Sequence, residues 1–185
     1  MIYLLRHGLD DENYIGGWSN VNLISEGIKQ VEDVSKYIVE KELVINNIIS
    51  SDIKRCKSTS LIVNNFLNLD IVYSSCLREL DKGNFTGVLK NNLSSEEKNM
   101  INGLGIYDKY PNGEAMIDLY KRIKNYLESI KDMDNVLLIT HRGVINMFYY
   151  LLNDIKLDMN KKRFNVEHAS LHEMNVKKKI IRRIY

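Results

Sequence analysis

Short apolar runs alternate with amphipathic stretches along the chain, a pattern typical of α/β proteins. Four apolar runs predict buried strands: residues 2–5, 43–49, 71–73 and 136–139. Apolar residues at helical spacing predict helices between and after them: residues 25–41, 54–68, 94–103, 114–130 and 144–152. Alternating positions over 168–185 predict two further strands in a hairpin at the sheet edge. Residues 77–92 follow neither period and are predicted to be irregular.

Strands separated by helices of this length predict a three-layer α/β/α sandwich with a mostly parallel sheet. No repeat or linker divides the 185 residues, so we expect a single domain over residues 1–185. Binding sites in such sheets form at the carboxyl ends of the strands. Arg6 and His7 follow the first strand, Arg55 opens the helix after the second, and His141 follows the strand at 136–139. We expect these four side chains to meet at one sheet edge.

Composition and charge exclude several classes of partner. The net charge is +2, from 26 basic and 24 acidic residues, which argues against a nucleic-acid partner. No apolar run approaches the roughly 18 residues of a membrane span, so no membrane partner is expected. Arg6 comes too early for a secretory signal, and two cysteines are too few for a disulfide framework. We therefore expect a cytoplasmic protein; its oligomeric state is not indicated.

Glycines follow both candidate histidines. Gly8 comes directly after His7, and Gly143 comes two residues after His141. A glycine lets the backbone approach an anion closely, and a helix that begins near Gly143 directs its positive end the same way. The planar guanidinium of Arg55 suits bidentate contact with phosphate. The sheet edge is therefore predicted to bind an anion.

Several short motifs occur in a fixed order over residues 1–150. They are Leu5-Arg6-His7-Gly8, Asn13, Gly17-Trp18-Ser19-Asn20, Ser50-Ser51 with Arg55, Leu77-Arg78-Glu79-Leu80, Gly113-Glu114 and Thr140-His141. Each motif is weak alone, but their ordered combination resembles the histidine phosphatase superfamily, in the branch that contains phosphoglycerate mutases and related small phosphatases. The resemblance implies the phosphoglycerate mutase-like α/β fold.

The resemblance also implies roles for five catalytic residues. His7 would be the nucleophile that forms a phosphohistidine, which divides one difficult displacement into two easier ones. Arg6, Arg55 and His141 would hold the phosphoryl oxygens and stabilise negative charge in the transition state. Glu79 would protonate the leaving alkoxide and then act as the base for water.

Further residues are implied to contact phosphate or substrate. Asn13 would donate a hydrogen bond to the phosphate, with Gly8, Gly17 and Trp18 around the substrate, while Arg142 would grip a second anion or obstruct the pocket. No metal and no other cofactor is implied, because arginines and a histidine supply the positive charge. The expected partner is a small phosphorylated metabolite.

The chain departs from the family pattern at several positions. Leu9-Asp10 stand where Glu-Thr is usual, Asn20 replaces Asp, Ala115 replaces Ser, Thr86 replaces Glu, and Arg142 replaces Gly. None of these changes removes a proposed catalytic group. They indicate altered substrate contacts and keep open a non-enzymatic hypothesis, a phosphate-binding module that has lost turnover.

The preferred hypothesis is a phosphatase of small phosphate monoesters, similar in size and motif order to the α-ribazole phosphatase type. His141 follows Glu79 by only 141 − 79 = 62 positions. Mutases of the superfamily usually carry a longer segment there, so a phosphoglycerate mutase is the alternative. His168 and His172 lie four apart without a further ligand, so we expect them to be structural or exposed. Cys56 is expected to be a small buried residue.

Overall fold

The computed structural model describes residues 1–160 and 163–185. These residues form six strands: β1 (Ile2–Arg6), β2 (Asn47–Ser51), β3 (Ile71–Ser74), β4 (Val136–Thr140), β5 (Leu171–Asn175) and β6 (Ile180–Arg183). They also form five α-helices: α1 (Ser25–Glu40), α2 (Lys54–Leu67), α3 (Ser95–Gly103), α4 (Met116–Ile130) and α5 (Arg142–Leu152). None of these helices is both long and apolar enough to cross a membrane.

The strands form one sheet in the order β3-β2-β4-β1-β5-β6. The pairs β3–β2, β2–β4 and β4–β1 are parallel, whereas β5 runs antiparallel to β1 and β6 antiparallel to β5. The predicted sandwich with a mostly parallel sheet is confirmed, and so is the predicted hairpin at the edge. The carboxyl ends of β1, β2 and β4 therefore lie side by side in the middle of the sheet.

Two apolar layers hold the helices against the sheet, and alternate residues of one strand belong to opposite layers. Leu4 packs with Leu119 of α4 and Phe148 of α5 on one face. Leu5 packs with Val34 of α1 and other residues of α1 and α2 on the opposite face. Burying each such side chain contributes roughly 1.5–3 kcal/mol. This double burial fixes β1 rigidly, and with it the residues that follow β1.

The predicted bounds of the second strand were wrong. The strand is Asn47–Ser51 rather than 43–49, because Leu43 and Ile45 pack against the α1–α2 layer before the strand begins. The two serines remain in the sheet although they are polar and buried. The hydroxyl of Ser50 donates to the carbonyl oxygens of Ser51 and Cys56, at 2.9 and 3.3 Å, so no donor is lost.

Two helix starts also differ from the prediction. Helix α4 begins at Met116 rather than 114, where the backbone N–H of Ala115 donates to the carboxylate of Asp118 at 3.0 Å. Helix α5 begins at Arg142 rather than 144. His141 consequently occupies the cap position of α5, and the first turn of that helix reaches the sheet edge.

The predicted irregular segment contains short 3₁₀ turns at Ser75–Leu77, Gly83–Phe85 and Lys90–Asn92. Gly83 has a φ of +51°, and a Cβ there would lie 2.0 Å from the carbonyl oxygen of Pro111. Only glycine therefore allows the two loops to approach so closely. This contact holds the segment that carries Glu79 over the carboxyl ends of the strands.

Candidate active site

His7 lies at the end of β1 and is almost completely buried, with 4% of its surface exposed. Its Nδ1 is 2.8 Å from the carbonyl oxygen of Gly8. A carbonyl only accepts, so Nδ1 carries the proton and Nε2 keeps its lone pair. Burial, followed by the nearby charges of Arg55 and Arg6, lowers the pKa of His7 well below its usual value. His7 is therefore a neutral imidazole with a free electron pair on Nε2.

Arg55, from the first turn of α2, links the other groups of the site and is also buried. Its Nε donates to His7 Nε2 at 3.2 Å, and its Nη2 donates to the carbonyl oxygen of Gly17 at 2.8 Å. The carboxylate of Asp10 lies 3.5 Å from Arg55 Nε. A guanidinium held by three partners keeps a fixed orientation and places its positive charge beside His7.

His141 lies behind Arg55 and has no exposed surface. Arg55 Nη2 donates to His141 Nδ1 at 3.1 Å, and His141 Nε2 is 2.9 Å from the hydroxyl of Ser51. Burial and the charge of Arg55 lower the pKa of His141 well below its usual value. His141 is close to His7, at 5.2 Å between ring centroids, but it does not line the cavity.

Arg6 approaches His7 from the opposite side of β1, with 6% of its surface exposed. Its Nη1 donates to the carbonyl oxygen of Val166 at 3.1 Å, and its Nη2 donates to His168 Nε2. Its Nε is buried and has no hydrogen-bond partner among the described residues. Burial, reinforced by Arg142, lowers the pKa of Arg6 to about 9, so the guanidinium is still positive at neutral pH.

Glu79 faces this group from the loop after β3. Its Oε1 accepts from the backbone N–H of Leu80 at 2.9 Å, and its Oε2 accepts from the backbone N–H of Gly143 at 3.0 Å. Its carbonyl oxygen accepts from Trp18 Nε1 at 2.7 Å and from Arg122 Nη2 at 3.2 Å. The carboxylate is thus held at the positive end of α5, so Gly143 does approach an anion closely, and that anion is a side chain of the protein.

A cavity of about 300 Å³ opens over these groups. Its inner end is lined by Arg6, His7, Arg55 and Glu79. The rest of the lining combines two kinds of side chain. The apolar and aromatic ones include Ile15, Leu80, Tyr110, Met116, Leu119, Met147, Tyr150 and Met159, and the charged ones include Asp11, Glu12, Lys82, Lys90, Arg142 and Asp158. A cationic inner end beside apolar side chains suits a small ester whose phosphate and organic parts occupy different regions.

The five residues predicted to contact phosphate or substrate are placed differently from one another. Gly17 and Arg142 line the cavity, and Arg142 Nε donates to the carbonyl oxygen of Val166 at 3.3 Å. Gly8 packs against helix α1, where a Cβ would lie 2.3 Å from a backbone oxygen. Trp18 and Asn13 do not line the cavity; Trp18 supports Glu79, and the exposed side chain of Asn13 bonds to Asp11. The hydrogen bond from Asn13 to phosphate stays a prediction.

Two side chains of the site were missed by sequence reasoning. His168 was expected to be structural or exposed; it is largely buried before β5, and its ring lies 5.6 Å from that of His7. Asp10 lies 3.7 Å from His168 and contacts Arg55. The replacement of a usual threonine by Asp10 was a signal, whereas nothing in the sequence pointed to His168. His172 is buried and bonds to Tyr149 and Ser170, as a structural residue would.

A metal ion is the first ligand to test against this geometry. His7, Asp10 and His168 place one potential ligand atom each within 4.8 Å of one another. However, Nε2 of His168 accepts a hydrogen bond from Arg6, and Nε2 of His7 accepts one from Arg55. Two fixed positive charges beside the same atoms repel a cation and attract an oxyanion. The donor set therefore fits a phosphoryl group better than a divalent ion.

Comparison with known families identifies the family of this chain. Residues 2–182 match the model of the histidine phosphatase superfamily, branch 1. The chain belongs to the histidine phosphatase superfamily. The sequence is also 35% identical over 150 residues to the protein named "Probable phosphoglycerate mutase GpmB" in Escherichia coli, covering 76% of this chain and 68% of that protein.

Solved structures share the fold of this histidine phosphatase. A candidate α-ribazole-5'-P phosphatase from Escherichia coli superposes with a TM-score of 0.83 at 18% identity, covering 99% of this chain and 93% of that one. A mycobacterial glucosyl-3-phosphoglycerate phosphatase superposes with a TM-score of 0.77 at 17% identity, covering 99% and 96%. The superfamily thus contains both phosphatases and mutase-like proteins, and its fold is the one predicted from the motifs.

Proposed function

We propose that this protein is a phosphatase that hydrolyses small phosphate monoesters through a phosphohistidine on Nε2 of His7. One observation carries the proposal: His7 is held neutral, with Nδ1 bonded to the carbonyl oxygen of Gly8 and Nε2 facing the arginines. A buried imidazole with its lone pair aimed into an oxyanion site is a prepared nucleophile. Charge from Arg6 and Arg55 provides the stabilisation that a metal ion supplies in other phosphoryl-transfer enzymes.

The first step forms the phosphoenzyme. Nε2 of His7 attacks phosphorus while the bond from phosphorus to the ester oxygen breaks, and Arg55 moves its Nε from His7 to a phosphoryl oxygen. Glu79, which takes up a proton from the monoanion of the ester as it binds, gives this proton to the departing alkoxide, which leaves as an alcohol. Arg6 and Arg55 neutralise the charge that spreads over the three equatorial oxygens.

The second step returns the enzyme to its starting state. Glu79, now ionised, takes a proton from water, and the resulting hydroxide oxygen attacks the phosphohistidine. The bond between phosphorus and His7 Nε2 breaks, its electron pair returns to the ring, and inorganic phosphate leaves. Glu79 is again protonated, so each turnover consumes one ester and one water.

Substrate size follows from the cavity. About 300 Å³ accommodates a small phosphorylated metabolite, with its organic part against the apolar wall near Tyr110 and Met147. Arg142 lies at the same cavity and offers a second positive charge to a leaving group that carries an anion. Comparing phenyl phosphate, whose organic part carries no charge, with 3-phosphoglycerate in the wild type and in Arg142→Gln measures that contribution.

The decisive experiment follows hydrolysis of p-nitrophenyl phosphate in EDTA, with vanadate as inhibitor, for the wild type and His7→Ala. We expect steady phosphate release by the wild type and a loss of at least 10³-fold in His7→Ala, as removal of a covalent nucleophile requires. His172→Gln, outside the cavity, is the matched control and should stay active. Full activity of His7→Ala would refute the mechanism, and an inactive wild type would favour the phosphate-binding module.

A phosphoglycerate mutase is the second candidate, and the similarity to the protein named GpmB favours it. The two functions differ in the fate of the phosphoenzyme. A mutase returns the phosphoryl group to a second hydroxyl, so 3-phosphoglycerate would become 2-phosphoglycerate with stimulation by the bisphosphate. Phosphate release without isomerisation would exclude the mutase.

A further inference from the structure

The segment from Val166 to Ala169 runs along the carboxyl end of β1. The backbone N–H of Ala169 donates to the carbonyl oxygen of His7 at 3.1 Å, and the carbonyl oxygen of Val166 accepts from both Arg6 and Arg142. Ala169 is buried and has a φ of +53°, a left-handed conformation that residues with a Cβ rarely adopt. Such strain persists only where the surroundings impose it, and it is concentrated at functional sites.

This backbone path turns the ring of His168 towards Arg6. Nη2 of Arg6 donates to His168 Nε2, and Nη1 of the same guanidinium is held by Val166. Burial, reinforced by Arg6 and Arg142, lowers the pKa of His168 to about 3, so its ring is a neutral acceptor at physiological pH. A carboxylate oxygen of Asp10 lies 3.7 Å from the same Nε2.

One buried nitrogen of Arg6 is left without a partner among the described residues. Both Nη atoms are bonded to the 166–168 segment, and the nitrogen that remains is Nε. An arginine that is more than nine-tenths buried and keeps an unpaired donor is an exception that calls for a ligand. A phosphoryl oxygen at the inner end of the cavity is the chemical complement of that donor.

We propose that His168 is a positioning residue that holds the guanidinium of Arg6 so that its Nε is directed at a phosphoryl oxygen. The inference rests on the proposed function, because it takes the ligand of Arg6 to be the phosphate of the substrate. His168, which the strained turn at Ala169 places, then contributes to phosphate affinity without contacting the phosphate. Asp10, whose carboxylate lies near the same nitrogen, also contacts Arg55.

A matched pair of variants tests the hydrogen bond itself. Gln and Met are both unbranched and of similar length, but only Gln offers an acceptor where His168 Nε2 lies. We expect His168→Met to weaken binding of inorganic phosphate, measured by calorimetry, by about tenfold, and His168→Gln to stay within about threefold of the wild type. The thermal midpoint of each variant reports whether it folds. Should His168→Met not fold, His168→Ala takes its place.

A double-mutant cycle separates positioning from a general structural role. If His168 acts through Arg6, then His168→Met in an Arg6→Gln background should change the phosphate dissociation constant by less than twofold. Equal losses in the Gln and Met variants, wild-type affinity in the Met variant, or additive effects in the cycle would each overturn the inference.

The calorimetric binding measurement does not depend on turnover. Calorimetric binding of phosphate requires no hydrolysis, so the proposal for His168 can fail while the wild type is an active phosphatase. Conversely, a wild type that binds phosphate through this network but hydrolyses no ester would remove the proposed function. In that case the cycle would still assign His168 to the phosphate site.

Discussion

The backbone N–H of Gly143 donates a 3.0 Å hydrogen bond to Oε2 of Glu79, and a Cβ at Gly143 would lie 2.1 Å from Oε1 of the same carboxylate. Glu79 lies in the loop after β3 and Gly143 in the first turn of α5, 64 positions apart in sequence. A glycine at the first turn of α5 therefore fixes the position of the proposed proton donor.

Gly143→Ala should impair the acid step without unfolding the protein, because the displaced group is the end of a flexible side chain. We expect kcat/KM for an alkyl phosphate to fall by about 100-fold, the lower range for loss of a positioned acid. The fall should be much smaller for p-nitrophenyl phosphate, whose leaving group needs no proton. Gly103→Ala is the control, since a Cβ there meets nothing within 4 Å. Equal losses on both esters would contradict the role of Glu79 as acid.

Gly27→Ala should act on stability instead. A Cβ at Gly27 would lie 2.0 Å from the carbonyl oxygen of Leu9 and 2.6 Å from its nitrogen, and backbone atoms cannot rotate away. We expect a loss of about 2–3 kcal/mol in the free energy of unfolding, measured by urea denaturation. Gly103→Ala again serves as the reference. A midpoint equal to that of the wild type would show that α1 can move away from the loop after β1.

Trp18→Phe tests whether Trp18 supports Glu79 or contacts substrate. Its Nε1 donates to the carbonyl oxygen of Glu79. The guanidinium carbon of Arg78 lies over the Trp18 ring, 4.6 Å from the ring centroid, and neither residue lines the cavity. Loss of one such bond corresponds to roughly 1 kcal/mol, or about fivefold. We expect kcat to fall by that factor for every ester, with unchanged inhibition by phosphate. Changes in KM that follow the identity of the ester would instead indicate substrate contact.

His172 should contribute to acid sensitivity. Burial, with Arg183 nearby, lowers the pKa of His172 from 6.5 to about 4, so the unfolded chain binds a proton that the folded protein does not. Its contribution is fully present above pH 6.5 and is lost as the pH falls towards 4. Between pH 7 and pH 5 this amounts to about 2 kcal/mol. Urea denaturation of His172→Gln should show that much less dependence on pH; parallel curves for variant and wild type would contradict it.

The fold could be predicted from sequence because the central strands β1 and β4 are buried on both faces and the apolar runs are short and well separated. The run at 136–139 is an example, since all five residues of β4 are buried. The second strand was misplaced because Leu43 and Ile45 are apolar for a different reason, as they cover helices rather than pair in the sheet. Period alone does not distinguish these two kinds of burial.

The residues of the site could be predicted from sequence only where they follow strands or belong to motifs. His7, Arg55 and Glu79 were found in this way and line one cavity. His168 was missed because its place depends on the antiparallel return of β5 and on a left-handed turn at Ala169, neither of which has a local sequence signature. Trp18 does not line that cavity, and its contact with substrate stays a prediction, because a motif indicates proximity to a site but not which group a side chain touches.

Strand β1 lies between β4 and β5: Ile2 pairs with Val136 on one side and with Met174 on the other. During synthesis, β1 therefore has neither neighbour until β4 and β5 have emerged from the ribosome. His7, the proposed nucleophile, is made early, but the site around it is complete only when the 166–169 segment has been added. Such distant pairing slows folding and leaves the apolar β1 exposed on the nascent chain.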